Sequence, residues 1–205
     1  MTKKLITRRS ALVLTASAAA FVAAPSILRA DAPYKRSLNM QSLNSGEKLK
    51  VTYWADGQYI DGALKSINYF MRDLRSNEQT EMSTDLLDLM YDIDQLTPSK
   101  APLYTMSGFR SHSTNEWLAS RSDAVDPSSF HMLGMAMDLT QDFADPGMIY
   151  RVAKKLGRGG AGFYPVKAPF VHVDVGPPDT WLWPQHGRLD RAEEYDRMQM
   201  EAKKS

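Results

Sequence analysis

One histidine and one aspartate stand in an otherwise mostly apolar stretch, Ser129–Asp138, and they constrain the fold more than any other feature of the chain. His131 and Asp138 have Met, Leu and Ala neighbours, which are typical of a protein interior. Burying an imidazole and a carboxylate costs several kcal/mol unless a hydrogen-bond partner, an ion pair or a metal ion compensates. The stretch therefore predicts either a structural hydrogen-bonded pair or a metal site.

The local pattern around these two residues favours a strand over a helix. Gly134 interrupts the stretch, and residues 136–139 are typical of a short buried strand. We therefore expect His131 to project from a loop and Asp138 to project from the strand that follows.

A third candidate ligand lies in Pro169–Gly176, where valines alternate with other residues. This period of two is typical of a strand and puts His172 and Asp174 on the same face. His172 would complete a His/Asp/His set, and three protein ligands with an open fourth position are typical of a catalytic zinc site. The chain has no cysteine that could build a closed thiolate site.

Several short motifs follow one another along the chain. They are Ser107-Gly-Phe-Arg-Ser111 with Asn115, Ser129-x-His131 with Gly134, Ala136 and Asp138, Gly159-Gly-Ala-Gly-Phe-Tyr-Pro165, and Phe170-Val-His-Val-Asp174. In this order, over residues 36–181, they resemble the D-alanyl-D-alanine metallopeptidase family, and most of all its murein endopeptidase K group. Several motifs in one order are far more specific than a single signature.

The resemblance implies an α+β fold of the Hedgehog/DD-peptidase type, with an antiparallel sheet, flanking helices and Zn2+ in a groove across the sheet. It implies that the zinc ligands are His131, Asp138 and His172, and that Arg110 and Ser129 bind substrate. An Arg at a strand end can hold a carboxylate through two parallel hydrogen bonds. The reaction implied is hydrolysis of peptide stems or cross-links of peptidoglycan, with zinc activating water and polarising the carbonyl.

The general base for this reaction does not follow the family pattern. Some relatives carry a His two residues before the last ligand, or an acidic residue three before it, where this chain has Phe170 and Pro169. Asp174, on the same strand face as His172, is the candidate base. The alternative is that Asp174 orients a ligand.

Two other functions stay open at this stage. The chain could be a D,D-carboxypeptidase that trims a terminal D-Ala, or a non-catalytic zinc-containing module that binds peptidoglycan. The missing conventional base favours the second of these, as does Asp179, which stands where close relatives are expected to carry an Arg.

Residues 1–30 are typical of an export signal. Thr7–Leu12 matches a twin-arginine signal, and residues 11–24 form an apolar run. A membrane-spanning helix needs about 20 apolar residues, so cleavage near residues 30–32 is favoured over a membrane anchor. We therefore expect export by the twin-arginine translocation machinery to the periplasm.

The charge of the remaining chain argues against nucleic acid as a partner. Removing residues 1–30 takes away five basic and no acidic residues of the 25 Lys and Arg, which leaves 20 against 24 Asp and Glu. Phosphate binding requires a basic face instead. Residues 31–187 are long enough for one zinc peptidase-like domain with its own core, expected as a monomer without a membrane span. Residues 188–205 form a charged tail.

The remaining segments predict a scaffold of helices and strands. The predicted elements are a hairpin from strands 36–43 and 48–54, helices at 62–75 and 84–96, a strand at 103–106 followed by a helix from Ser113, a helix at 145–156, and paired strands at 162–165 and 170–175.

Overall fold

A computed structural model describes residues 34–141 and 146–183 of the chain. The predicted signal peptide (1–30), the tail (188–205) and the first residue of the helix predicted at 145–156 lie outside the described residues. Within the described ranges, no helix combines the length and the apolar character that crossing a membrane requires.

The described residues form eight strands and four α-helices. These are β1 (Lys35–Ser42), β2 (Lys48–Ala55), β3 (Gln58–Tyr59), α1 (Asp61–Phe70), α2 (Thr84–Leu96), β4 (Leu103–Ser107), α3 (His112–Ala119), β5 (Ala136–Gln141), α4 (Pro146–Leu156), β6 (Gly160–Tyr164), β7 (Phe170–Asp174) and β8 (Asp179–Leu182). The predicted hairpin, the strand pair β6–β7 and the helices α2 and α4 match these bounds closely, whereas β3 and β8 were not predicted.

All eight strands belong to one sheet, in the order β3-β2-β1-β4-β5-β7-β6-β8. The sheet is mixed, and the prediction of an antiparallel sheet is wrong for two pairs, because β1–β4 and β6–β8 run parallel. Parallel neighbours need a crossover connection. Helices α1 and α2 lie between β3 and β4 and supply one. The α+β class agrees with the sequence prediction.

Three helices and the sheet enclose the main core. Helix α1 packs against β2, α2 against β1, and α4 against β5, β6 and β7, while α2 also contacts α4. The buried residues of this core include Leu38, Ile67, Met90, Met137 and Val171. The methionines at helical spacing are therefore core residues, as such spacing usually indicates.

Helix α1 ends at Phe70, five residues before the predicted end at residue 75. The cause is Asp73, whose Oδ1 accepts hydrogen bonds from the backbone N–H groups of Arg75 (2.8 Å) and Ser76 (3.3 Å). An aspartate that bonds the backbone two and three residues ahead stabilises a turn in competition with a helix. Helix α1 begins at Asp61, one residue before the predicted start at residue 62, and Ile60 is its N-cap residue.

Candidate metal centre

The site residues form a straight row across five strands. Ser107 on β4 is the register partner of Asp138 on β5, and Asp138 is the partner of His172 on β7. His172 is in turn opposite Gly162 on β6, which is opposite Trp181 on β8. Because directly opposed residues of neighbouring strands point to the same face, the sheet itself brings Asp138 and His172 together.

His131 enters the site from a single turn of 3-10 helix, Phe130–Leu133, where we had predicted a loop. Gly134 ends this turn in the left-handed conformation, with φ of 67°. A Cβ atom at this position would lie 2.6 Å from the carbonyl oxygen of Glu81. The turn therefore needs glycine both for its backbone conformation and for its close approach to the chain beside it.

Three ligand atoms converge where the row meets this turn. His131, Asp138 and His172 are all buried and each offers one atom, with all of these atoms within 4.8 Å of one another. Nε2 of His131 lies 3.2 Å from Nδ1 of His172 and 3.3 Å from Oδ1 of Asp138. Nδ1 of His172 lies 3.0 Å from the same Oδ1 atom. The structure thus brings together the three residues that the sequence predicted as metal ligands.

The outer nitrogens of both histidines have acceptors of their own. Nδ1 of His131 donates to the carbonyl oxygen of Gly108 at 2.7 Å, and Nε2 of His172 donates to Oδ2 of Asp174 at 3.0 Å. A neutral imidazole has one N–H group, so the two inward nitrogens present lone pairs to each other and to Asp138. Three acceptor atoms this close repel one another unless a cation lies between them. A His/Asp/His donor set with oriented rings fits zinc.

The electrostatics of the site favour the protonation states that metal ligands need. Burial, reinforced by the positive charge of Arg110, lowers the pKa of His131 to about 4, so the ring is neutral at pH 7. Burial alone would raise the pKa of Asp138, but its close contacts with His131, with the positive charge of Arg110 and with His172 hold it well below its usual range. The site therefore combines an ionised carboxylate with a neutral imidazole.

Arg110 lies directly beside the ligand set. Its Nε donates to Oγ of Ser107 at 2.7 Å, and its Nη2 pairs with Oδ2 of Asp138, the oxygen that faces away from the histidines. Its Nη1 makes no hydrogen bond within the described part of the chain, and Arg110 is one of the residues that line a groove beside the site. Arg110 is thus placed to hold Asp138 and to donate to a molecule in the groove at the same time.

Asp174 is fully buried behind His172. Its Oδ1 accepts from the backbone N–H groups of Gly160 (3.0 Å) and Gly176 (2.8 Å), and its Oδ2 accepts from His172. These contacts correspond to a carboxylate that fixes the orientation of a ligand. The role of Asp174 as general base stays a prediction, and the position of its oxygens favours the orienting alternative.

Ser129 is buried at the start of the 3-10 turn. Its Oγ accepts a hydrogen bond from the backbone N–H of His131 at 3.3 Å. It does not belong to the groove wall that the structure describes. Its predicted contact with substrate stays a prediction, and its observed contact stabilises the turn that carries His131.

A groove with a volume of about 570 Å³ runs beside Asp138 and Arg110. Its apolar walls come from β4, the end of α1 and α3, and include Phe70, Met71 and Leu118. A groove of this volume at the C-terminal end of β4 can take several residues of a peptide chain. The candidate metal ligand Asp138 therefore borders a space large enough for a polymeric substrate.

Two supporting residues were not predicted, because their roles depend on distant contacts. Asp73 accepts hydrogen bonds from the backbone N–H and the Oγ of Ser111, at 2.8 and 2.7 Å, and so fixes the segment that carries Arg110. No pattern near Asp73 indicates this contact, which spans 38 residues. Gly108 was noted only as part of a motif, whereas its carbonyl orients His131.

The indole ring of Trp181 supports His172 from the far side of the row. The two ring centres lie 5.4 Å apart, and the indole N–H donates to the hydroxyl of Tyr164 at 3.1 Å. A Cβ atom on Gly162 would lie 2.1 Å from the indole ring. Gly162 therefore leaves the space in which Trp181 packs beside His172.

Comparisons with known proteins identify relatives of this chain. Residues 30–181 match the family described as "Peptidoglycan L,D-endopeptidase MepK". The chain is similar to the peptidoglycan L,D-endopeptidase MepK of Escherichia coli K12, at 34% identity over 176 residues, covering 85% of this chain and 96% of the relative. It is also similar to a probable peptidoglycan L,D-endopeptidase MepK of Haemophilus influenzae, at 33% identity over 150 residues, covering 73% and 80%. No solved structure matches the chain.

Proposed function

The chain belongs to the peptidoglycan L,D-endopeptidase MepK family, and we propose that it is a zinc-dependent murein endopeptidase that hydrolyses peptide stems or cross-links of peptidoglycan. The observation that carries the proposal is the convergence of three buried acceptor atoms, from His131, Asp138 and His172, at the edge of a peptide-sized groove. A metal ion between these acceptor atoms would remove their mutual repulsion, and a peptide in the groove would lie beside that ion.

Zinc held by these three residues would lower the pKa of a water ligand and polarise the scissile carbonyl. The protein supplies the rest. Gly108 and Asp174 keep the outer N–H of each histidine turned away from the site, so the inner nitrogens stay available as ligands. Arg110 neutralises the outer oxygen of Asp138 and offers Nη1 to the substrate, where a guanidinium can stabilise a carboxylate or a developing oxyanion.

The location follows from the proposed substrate and from residues 1–30. We propose that the mature chain acts as a monomer in the periplasm after export by the twin-arginine machinery. Replacing both Arg8 and Arg9 by Lys should then leave unprocessed precursor in the cytoplasm. Normal processing of that double variant in the periplasm would mean that export uses another route.

Mass spectrometry of the peptides released from purified peptidoglycan tests the activity. The zinc-loaded protein should convert cross-linked peptide dimers to monomers, and His172→Ala should not. Loss of a single terminal residue, with the dimers intact, would indicate a D,D-carboxypeptidase. Unchanged peptidoglycan that nevertheless retains the protein in a sedimentation assay would indicate a non-catalytic binding module.

A further inference from the structure

The groove beside the metal centre carries an unusual set of charges. Its walls contain five charged side chains, namely those of Arg72, Asp73, Arg75, Arg110 and Asp138. Four of them are satisfied within the protein. Asp138 pairs with Arg110, Arg72 donates to both carboxylate oxygens of Glu47 at 3.0 and 3.1 Å, and Asp73 accepts backbone and hydroxyl hydrogen bonds.

Arg75 is the exception among these groups. Within the described residues it has no carboxylate partner, and its side-chain contact is with the ring of Trp117, whose centre lies 3.6 Å from the guanidinium carbon. Stacking on an aromatic face fixes a guanidinium plane but leaves its N–H edge free to donate two parallel hydrogen bonds. Among the residues that the structure describes, Arg75 is therefore an oriented cation without a carboxylate partner, and it lies in the wall of a peptide-sized groove.

The protein also fixes the position of Arg75 relative to Arg110. The backbone N–H of Arg75 donates to Oδ1 of Asp73, while Oδ2 of the same carboxylate holds the backbone and hydroxyl of Ser111, the residue after Arg110. One buried carboxylate thus ties together the two segments that bear these arginines. Two arginines carried on segments that are held together in this way suit a ligand with two anionic or polar points of attachment.

We propose that Arg75, stacked on Trp117, binds a carboxylate of an acidic peptide whose scissile bond lies at the metal centre. The inference rests on the proposed function, because it takes the groove to be the path of the substrate. Stem peptides of peptidoglycan carry free carboxylates away from the bond that is cut, and a bidentate guanidinium recognises that group specifically. Arg75 would then select acidic stems through binding, at a distance from the reacting atoms.

Arg121 offers a matched control for this proposal. Its guanidinium carbon lies 4.2 Å from the centre of the same Trp117 ring, and its Nη1 donates to the carbonyl oxygen of Trp117 and to Oγ of Ser120. It does not belong to the groove wall as the structure describes it. Arg121→Gln therefore removes the same type of residue from the same ring without changing the groove.

The test is a binding measurement with two synthetic peptides. One is L-alanyl-γ-D-glutamyl-L-lysine with its C-terminus amidated, and the other is its twin in which the α-carboxylate of the glutamate is also amidated. Calorimetry should give wild type and Arg121→Gln about a ten-fold preference for the free acid, the scale of one charge-assisted hydrogen-bonded pair. Arg75→Gln should bind both peptides equally, and thermal melts should show that both variants are folded.

Three outcomes would overturn the inference: wild type binds the two peptides equally, Arg75→Gln keeps the preference, or Arg121→Gln loses it to the same extent. Hydrolysis of cross-linked peptidoglycan is measured in parallel. Binding that depends on Arg75 in a protein without hydrolytic activity would refute the proposed function and leave the carboxylate site standing. Hydrolysis by a protein that does not discriminate between the two peptides would refute the carboxylate site at Arg75 and leave the proposed function standing.

Discussion

Nε2 of His172 donates to Oδ2 of Asp174 at 3.0 Å, while the other nitrogen of the same ring faces Asp138 at the same distance. The ring is therefore held between two carboxylates of different kinds. Asp138 lies beside the groove and Asp174 is fully buried behind the ring. Asp174 therefore orients the candidate ligand His172 from behind. Kinetic measurements can distinguish this role from general-base catalysis.

Asp174→Asn tests that role. If Asp174 orients His172, the substitution should weaken zinc affinity by about 10- to 100-fold, and activity should return when zinc is added in excess. If Asp174 is the general base, kcat should fall by about 100-fold or more at every zinc concentration. Activity measured across a zinc titration distinguishes the two, and the buried hydrogen bonds of Asp174 lead us to expect recovery.

Arg110→Lys keeps the positive charge beside Asp138 but removes the planar guanidinium group with its several N–H donors. We expect kcat/KM to fall by about 2 kcal/mol, or roughly 30-fold, because a lysine cannot hold Ser107, Asp138 and a substrate group simultaneously. Arg158→Lys is the control, since Arg158 pairs with Asp92 outside the groove. An equal kcat/KM for wild type and Arg110→Lys would show that the guanidinium geometry of Arg110 has no part in the reaction.

Asp73→Asn should reduce stability in a pH-dependent way. Burial would raise the pKa of Asp73, but hydrogen bonds, including those from Ser111 and Arg75, outweigh it and lower the pKa from 3.8 to about 2. A depressed pKa contributes stability above the unfolded value, here about 2 kcal/mol, which is lost as the pH falls from about 4 to about 2. Urea unfolding at pH 7 and pH 2.5 should show the difference between wild type and variant shrinking at the lower pH. A constant difference would contradict the assignment.

Gly162→Ala should displace the indole ring of Trp181 and disturb His172. A Cβ atom 2.1 Å from that ring forces movement, and overpacking of this kind costs about 1–3 kcal/mol. We expect a lower melting temperature together with weaker zinc binding. Gly62→Ala is the matched control, because a Cβ atom at Gly62 meets nothing within 4 Å, and it should leave zinc binding unchanged. Equal zinc affinity in both variants would show that Trp181 does not support His172.

The sequence predicted the parts of the site that depend on local pattern. Strand alternation put His172 and Asp174 on one face, and Gly134 together with the apolar residues around Asp138 indicated a turn followed by a buried strand. These features depend on backbone period and local conformation, which neighbouring residues set. The family resemblance then indicated that His172, which lies far along the chain from His131 and Asp138, forms one ligand set with them.

The remaining features depend on contacts that the sequence does not encode locally. Asp73 ends α1 and holds Ser111 from 38 residues away. The direction in which Asp174 points depends on the N–H groups of Gly160 and Gly176. The parallel pairing of β1 with β4 depends on the path of two helices over the sheet. None of these contacts leaves a periodic signal.

The most direct test of the proposed metal centre is a titration of metal-free protein with zinc. Bound metal and peptidoglycan hydrolysis are both measured after each addition of zinc. The apoprotein should keep its fold, because a core of this size needs no metal to form, and it should be inactive. Activity should rise in proportion to bound zinc and level off at one equivalent, while His172→Ala should neither bind zinc tightly nor gain activity. Full activity in the metal-free protein, or unchanged zinc content in His172→Ala, would contradict the metal centre proposed for His131, Asp138 and His172.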